Sequence, residues 1–234
     1  MNLLAFDTST EYLSIAILRE TEVFCFDTMA GQMHSQLILP EIQKLLERAQ
    51  LQLRDLNGLV FGAGPGSFTG VRIAAGVAQG LALGGKLPVL GVSTLMTLAQ
   101  GSGAGKVLAC LDARMGEVYF AAYEKQGDIW QTVHAPGLYK PDAVPRVQGS
   151  GWVGAGSGWQ AHAEILKTQY PAQLSEVQPQ LLPQANAMLQ LASVDFANAD
   201  LTSGSAFTAE DAMPIYIRNR VALKTAERDQ GQRL

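Results

Sequence analysis

Charged residues are scarce in this sequence of 234 residues. Asp, Glu, Lys and Arg together make up 16%, against roughly 25% in an average globular protein. The balance is acidic, with 17 Lys and Arg against 21 Asp and Glu. This argues against a chain that holds nucleic acid by itself, because phosphate contacts need clustered basic side chains. Hydrophobic residues make up 47%, which is enough for a core and for apolar surface that a partner could cover.

Patterns that hold a metal or form a disulfide are also missing. The two cysteines, Cys25 and Cys110, lie far apart in apolar, strand-like runs, and we expect two buried free thiols in a reducing cytosol. The histidines, His34, His134 and His162, form neither an HExxH motif nor a pair four residues apart. Because a catalytic metal needs several converging ligands, we expect no metal site.

Signals for secretion or membrane insertion are absent as well. The N-terminal stretch MNLLAFDTST has neither a basic region nor a small-residue cleavage site. The apolar runs are interrupted well before the roughly 18 residues that a membrane-spanning helix needs. We therefore expect a soluble, cytoplasmic protein.

The apolar pattern predicts one structural plan that occurs twice. An apolar strand ends at Phe6 and is followed by a hairpin, a third strand, a helix from Ser35, and then strand, helix and strand. The plan restarts with an apolar strand that ends in Asp112, a turn and an alternating strand. We therefore expect an α/β fold with two related lobes, residues 1–103 and 104–234. The closing stretch KTAERDQGQRL is polar, and we expect it to be mobile.

The glycine-rich segment GAGPGSFTGVR, from Gly62 to Arg72, has the composition of a phosphate-binding loop. Its glycines lack the GxGxxG spacing of a dinucleotide fingerprint, and no Gly-Lys-Ser/Thr closes it as in a P-loop. Ser67 lacks the GxSxG context of a hydrolase nucleophile. Helix capping by Ser67 or Thr69 is enough to explain these hydroxyls.

The turn with Asp7, Thr8 and Thr10 has the form of the hairpin that grips phosphate in actin-like ATPases and sugar kinases. One such hairpin is weak evidence. The adenosine loop expected late in the second half has a single candidate, GWVGAGSGW at residues 151–159. The residues alone leave a nucleotide site at the Asp7 turn open.

A stretch with almost no charge follows the first helix. Between Asn57 and Gly105 the only charged residues are Arg72 and Lys86. The helix in this stretch repeats a glycine every four residues, at Gly76, Gly80 and Gly84. Each interior glycine destabilises a helix by roughly 1 kcal/mol relative to Ala. Either this helix is enclosed between its own sheet and a neighbouring helix, or its glycines let a helix of another subunit approach closely, and we favour the subunit interface.

Several blocks together resemble the bacterial TsaB family, also called YeaZ. They are FDTST, HSQLILPEIQKLL and LVFGAGPGSFTGVRIAAGVAQGLALGGKLPVLGVSTL, and the resemblance continues more loosely in LDARMGEVYFAAY and PIYIRN. It implies a duplicated actin-like (ASKHA, ribonuclease-H-like) fold of two lobes with mixed five-stranded sheets flanked by helices. It also implies a role in making threonylcarbamoyladenosine, the modified base beside the anticodon of tRNAs that read codons starting with A.

The same resemblance implies a chain without a catalytic site of its own. The paralogous transferase, TsaD, has the same AGPG stretch, followed by a metal-binding pair of histidines four residues apart. Here these two positions fall on Thr94 and Leu98, and neither side chain can replace an imidazole. The resemblance therefore implies no catalytic residue, no metal and no cofactor in this chain.

The resemblance further implies a set of partners. They are a TsaD-type transferase bound through the helices at Ser35 to Ala49 and Gly70 to Leu83, a TsaE-type ATPase near the same junction, and tRNA only through the complex. Alone, the chain would form a homodimer through the same surface. The predicted contact residues are His34, Leu37, Ile38, Glu41, Ile42, Leu45, Val71, Arg72, Ala75, Gly76, Gln79, Gly80 and Leu83. The alternative is an independent glycoprotease-like or ATP-binding enzyme of the actin-like superfamily.

Overall fold

Two mixed five-stranded sheets form the framework of the chain, which a computed structural model describes over residues 1–198 and 208–218. The strands of the first sheet are β1 (Asn2–Asp7), β2 (Tyr12–Arg19), β3 (Glu22–Met29), β4 (Gly58–Gly64) and β5 (Val89–Ser93). Their order is β3-β2-β1-β4-β5, antiparallel from β3 to β1 and parallel from β1 to β5. The tail at 224–234, predicted to be mobile, lies outside the described residues.

Helices α1 (His34–Arg48) and α2 (Phe68–Gly85) cover one face of the first sheet. Side chains of β1 alternate between its faces, so that Phe6 packs in the core with these helices and Ala5 packs on the opposite face. Because the central strands are covered on both faces, they are apolar almost throughout.

The second sheet repeats the plan of the first. Its strands are β6 (Lys106–Asp112), β7 (Val118–Gln126), β8 (Ile129–Tyr139), β9 (Trp152–Ala155) and β10 (Leu174–Gln178). The order β8-β7-β6-β9-β10 and the strand directions match those of the first sheet. Helices α4 (Gly158–Ala161) and α5 (Ala163–Gln169) lie between β9 and β10. The predicted duplicated actin-like fold is confirmed.

The two lobes exchange a helix. Helix α3 (Thr94–Gly101) follows the first sheet in sequence, but its side chains, such as Leu98, pack against the second sheet. Helix α6 (Ala185–Asn198) follows the second sheet, but residues such as Met188 pack against the first. The boundary at 103/104 thus separates the two sheets but not the two cores, because each core is completed by a helix from the other half of the chain.

The two cysteines differ in exposure. Cys110 is buried in β6, whereas Cys25 is exposed, so the expectation that both thiols are buried is wrong for Cys25. The reason is that β3 is an edge strand whose side chains alternate between partly buried and exposed, and Cys25 is on the exposed face. Among the helices of the described ranges, none combines the length and the hydropathy that crossing a membrane requires.

Candidate partner interface and the glycine-rich loop

The glycine-rich loop packs directly on the turn between β1 and β2. The Thr8 hydroxyl donates a hydrogen bond to the Gly70 carbonyl over 2.7 Å, and the Ser67 amide donates to the Ser9 carbonyl over 2.7 Å. A side chain at Gly66 would overlap the backbone of Ser9, and one at Gly70 would overlap the backbone of Thr8. These glycines therefore serve a close approach of two backbone segments, and the Thr8 hydroxyl and the Ser67 amide, which could otherwise bind a phosphate, are bonded within the chain. The predicted cap is confirmed, since the Ser67 hydroxyl accepts from the Gly70 amide over 3.3 Å.

Asp7 lies beneath this loop and is fully buried. Its Oδ1 accepts hydrogen bonds from the Ser9 amide at 2.8 Å and the Ser9 hydroxyl at 2.7 Å, while Oδ2 has no hydrogen-bond partner among residues 1–198 and 208–218. Burial raises the pKa of Asp7 from 3.8 to about 6, and the two bonds from Ser9 partly oppose this rise. A Cβ on Gly62 would overlap Oδ2, so β4 closes the space on that side. The carboxyl is enclosed by the chain, unlike a carboxylate that must reach a hydrated Mg²⁺ ion.

The second lobe places Asp112 at the position that corresponds to Asp7. Its Oδ1 accepts from the Arg114 amide at 2.9 Å, and the Arg114 guanidinium forms an exposed ion pair with Glu11 of the first lobe at 2.9 Å. His162 Nε2 lies 3.8 Å from the Asp112 carboxylate. Within residues 1–198 and 208–218, no group of three or more His, Cys, Asp and Glu side chains is placed to hold a metal ion.

The positions that correspond to the TsaD histidines are core positions here. Thr94 and Leu98 are fully buried on α3, at the junction with the second sheet. The candidate adenosine loop at 151–159 is used in packing as well. A Cβ at Gly154 would overlap the indole of Trp159, whose Nε1 donates to the Leu108 carbonyl over 2.9 Å.

Six of the thirteen predicted contact residues are buried inside the first lobe. They are His34, Ile38, Ile42, Leu45, Val71 and Ala75. The apolar face of α1 covers β2 and β3. The apolar periodicity of α1, from which a partner-binding face was predicted, is therefore explained by packing in the chain's own core. These six side chains pack within the first lobe of this structure, and their direct contact with a partner stays a prediction.

The other seven predicted contact residues are at the surface. Leu37, Glu41 and Gln79 are half-buried, and Arg72, Gly76, Gly80 and Leu83 are exposed. Leu83 is 70% exposed, and a Cβ built at Gly76, Gly80 or Gly84 would meet no atom within 4 Å. The glycines thus face outward, and no element of residues 1–198 and 208–218 encloses them. We call the exposed line along this helix the α2 stripe; it consists of Phe68, Arg72, Gly76, Gly80, Leu83 and Gly84.

The segment 208–218 lies beside the α2 stripe, a position that no sequence pattern predicted. The Ile215 amide donates to the Ala63 carbonyl over 2.7 Å, and the Gln79 side chain donates to the Ala212 carbonyl over 3.1 Å. Further on, Arg218 forms an ion pair with Glu117 of the second lobe at 2.8 Å. The segment therefore crosses from α2 to the second lobe.

Tyr216 of this segment joins two residues of the α2 stripe. The Arg72 guanidinium carbon lies 3.5 Å from the centre of the Phe68 ring and 5.5 Å from that of the Tyr216 ring. Arg72 Nε donates to the Tyr216 hydroxyl over 2.8 Å. Phe68 is 40% and Tyr216 47% exposed. Sequence reasoning missed both aromatic residues; the motif PIYIRN marked the segment without indicating a contact.

Comparison with known proteins places these features in a family. A family model described as TsaD, tRNA N6-adenosine threonylcarbamoyltransferase, matches residues 28–222. The tRNA threonylcarbamoyladenosine biosynthesis protein TsaB of Escherichia coli K12 is 44% identical over 233 residues, which cover 96% of this chain and 97% of that protein. Its namesake in Haemophilus influenzae is 36% identical, with 96% of each chain covered.

A solved structure agrees with the sequence relatives. YeaZ from Pseudomonas aeruginosa is 38% identical, has a TM-score of 0.83, and is matched over 92% of this chain and 99% of its own. A second structure from that organism, described as similar to peptidase YeaZ, gives the same identity and TM-score. The sequence relatives, the solved structure, the duplicated sheets and the AGPG loop all agree. The chain therefore belongs to the TsaB (YeaZ) family, whose named members are tRNA threonylcarbamoyladenosine biosynthesis proteins.

Proposed function

We propose that this chain is a non-catalytic subunit that binds and activates a TsaD-type threonylcarbamoyl transferase in the cytoplasm. It helps to recruit a TsaE-type ATPase, and it meets tRNA only as part of the complex. The observation that carries the proposal is the α2 stripe, a line of outward-facing glycines on a helix of a protein with little surface charge.

The glycines of the stripe have no packing role within the described residues. Gly76 and Gly80 lie in the interior of α2 and together destabilise it by roughly 2 kcal/mol relative to alanines, and no described atom of another element occupies the space beside them or beside Gly84. A second helix laid along the stripe would recover this free energy, because absent side chains let two helix backbones approach closely and make many dispersion contacts.

The groups that could carry chemistry support a non-catalytic role. Asp7 is enclosed by the glycine-rich loop, and its neighbours Thr8 and Ser67 are bonded within the chain. Thr94 and Leu98 are apolar-core positions on α3 and supply no metal ligand of the imidazole type. The acidic composition assigns most of the tRNA contact to the partner.

A homodimer is the expected state of the isolated chain. The α2 stripe and the exposed Met213, which lies beside Gln79 of α2, would otherwise face water. Because the same surface serves both partners in this proposal, the transferase competes with a second copy, and the heterodimer forms at the expense of the homodimer.

The test is a reconstitution with a variant that blocks the stripe. Gly80→Arg places a long cation where the partner backbone should approach, and we expect a folded monomer that neither dimerises nor binds the TsaD-type subunit in light-scattering chromatography. Threonylcarbamoyladenosine formation from threonylcarbamoyl-adenylate, TsaE and tRNA should fall to the level measured without this chain. Gly105→Arg is the matched control, because Gly105 is also exposed with open space at its Cβ position but lies outside α2.

The same reconstitution addresses the alternative of an independent enzyme. The Asp7 hairpin and the description of a relative as peptidase-like motivate that alternative. Product formed by this chain without the TsaD-type subunit would overturn the proposed function, as would a Gly80→Arg variant that pairs and activates like the wild type.

A further inference from the structure

Arg72 is a charged side chain in a surface that otherwise has almost no charge. Arg72 and Lys86 are the only charged residues in the sequence between Asn57 and Gly105. Arg72 is exposed near the start of α2. None of the ion pairs within the described part of the chain involves Arg72. Its charge is therefore not neutralised by a described carboxylate.

The hydrogen bonds of Arg72 leave one side of the guanidinium free. Nε donates to the Tyr216 hydroxyl over 2.8 Å, and neither Nη group has a partner among residues 1–198 and 208–218. An arginine fork with two free Nη groups matches the geometry of a carboxylate, which it binds through two parallel hydrogen bonds.

Two aromatic rings fix the guanidinium in place. Phe68 stacks against it at 3.5 Å and Tyr216 lies at 5.5 Å, while the two rings are 6.1 Å apart. Holding the side chain before binding reduces the entropy lost when a partner orders it. Arginine and exposed aromatic residues are also the types that contribute most to interfaces.

The pattern of charge along the α2 stripe is asymmetric. The cation lies near one end, next to Phe68, and glycines and Leu83 make up the rest. In a homodimer, α2 of the second copy cannot neutralise Arg72, because Phe68–Gly85 contains neither Asp nor Glu, and Glu41 of α1 is already paired with Lys44 at 2.7 Å. A helix of another protein that carries a carboxylate at this end would do so.

We infer that Arg72, held by Phe68 and Tyr216, is the carboxylate-binding anchor of the interface. The helix of the TsaD-type subunit that lies along the α2 stripe presents an Asp or Glu to it. This ion pair sets the direction of the partner helix and favours the heterodimer over the homodimer. The inference rests on the proposed function, since it names the chemistry of the partner at the same surface.

The test compares two affinities in one set of variants. Arg72→Met keeps the stem of the side chain and removes the charge, and it should weaken binding of the TsaD-type subunit by at least about tenfold while changing homodimer affinity by less than about threefold. Arg72→Glu should weaken heterodimer binding further, and reversing one acidic residue of the partner helix to Arg should restore it. Lys140→Met is the matched control, because Lys140 is an exposed cation of the second lobe.

Each outcome decides the matter. Circular dichroism first establishes that the variants fold, and Arg72→Lys provides a conservative variant that keeps the charge but not the fork. If Arg72→Met binds the TsaD-type subunit like the wild type, or weakens both dimers equally, the anchor is overturned. The Gly80→Arg variant tests the proposed function separately. If Gly80→Arg abolishes pairing but Arg72→Met does not weaken it, the α2 stripe is the interface and Arg72 is not its anchor.

Discussion

At the scale of single residues, the glycines of the glycine-rich loop allow close packing of the backbone. Gly62 leaves room for the Asp7 carboxylate, and Gly66 and Gly70 leave room for the carbonyls of the preceding turn. These contacts join segments about 60 positions apart in the chain. A loop with the residues of a phosphate cradle thus holds a turn of its own chain against the start of α2.

Asp7 provides a prediction about pH. Its pKa is raised in the folded chain from 3.8 to about 6, so the folded state binds more protons than the unfolded state between these values. The contribution of Asp7 to the free energy of unfolding therefore falls by about 2.4 kcal/mol as the pH rises from 4 to 7. Asp7→Asn removes this loss, and the stability of the variant relative to the wild type should improve by about that amount over the same range.

Urea unfolding of both proteins at pH 4 and pH 7 measures this difference. Asp128→Asn serves as the control, because Asp128 is exposed in a turn of the second lobe. If the free energies of unfolding of wild type and Asp7→Asn change equally with pH, the pKa of Asp7 is not raised by burial.

The sequence predicted the chemistry of the Asp7 turn only in part. The missing P-loop and GxGxxG spacings argued against two kinds of phosphate site. The burial of Asp7 could not be predicted, because it depends on Gly62 lying against Oδ2 after β1 and β4 have paired. Tyr216 was missed for the same reason, since its contact with Arg72 joins distant parts of the chain.

At the scale of elements, α2 has two faces of small residues with different roles. The face with Val71, Ala74, Ala78 and Ala82 is buried against the sheet, and the α2 stripe is exposed. The sequence predicted the helix, and its glycine repeat indicated where a second helix could approach. It could not assign the apolar face of α1, because a row such as Ile38, Ile42 and Leu45 has the same pattern whether its own sheet or a partner covers it.

The exposed glycines predict opposite effects on stability and on pairing. Gly76→Ala with Gly80→Ala should raise the free energy of unfolding of the monomer by roughly 1 kcal/mol per site, because alanine favours the helix and the added methyl groups meet no atom of the described residues. The same methyl groups should weaken binding of the TsaD-type subunit, because they separate the two helix backbones.

Urea unfolding in dilute solution and calorimetric titration with the TsaD-type subunit measure the two effects. A variant that gains stability and still pairs with unchanged affinity would remove the stripe from the interface. A variant that loses stability would mean that the stripe is packed within the chain.

At the scale of the whole molecule, the exchange of α3 and α6 links the two halves. The sequence predicted the duplication, because both halves repeat the same strand pattern. It did not predict the exchange, since an apolar helical face does not indicate which of two apolar sheets will cover it. Leu98 on α3 and Met188 on α6 therefore lie in cores built mainly by the other half.

The exchange predicts how fragments of the chain behave. A fragment 1–103 leaves one face of its sheet uncovered, including Leu3, Ala5 and Val60, and we expect it to aggregate or to unfold without cooperativity. A composite of residues 1–93, a Gly/Ser linker and residues 180–218 restores α6 and should unfold cooperatively. Urea unfolding followed by circular dichroism compares the two, and equal cooperative stability would show that α6 is dispensable for the first lobe.

The position of α6 in the chain also determines the order in which the protein is completed on the ribosome. The first sheet and its helices α1 and α2 are synthesised early, but α6 ends only at residue 198. At translation rates of about 5–20 residues per second, an apolar sheet face waits on the order of 10 s for its cover. During that interval the nascent chain is a substrate for chaperones, while the helix proposed to bind the partner has already been made.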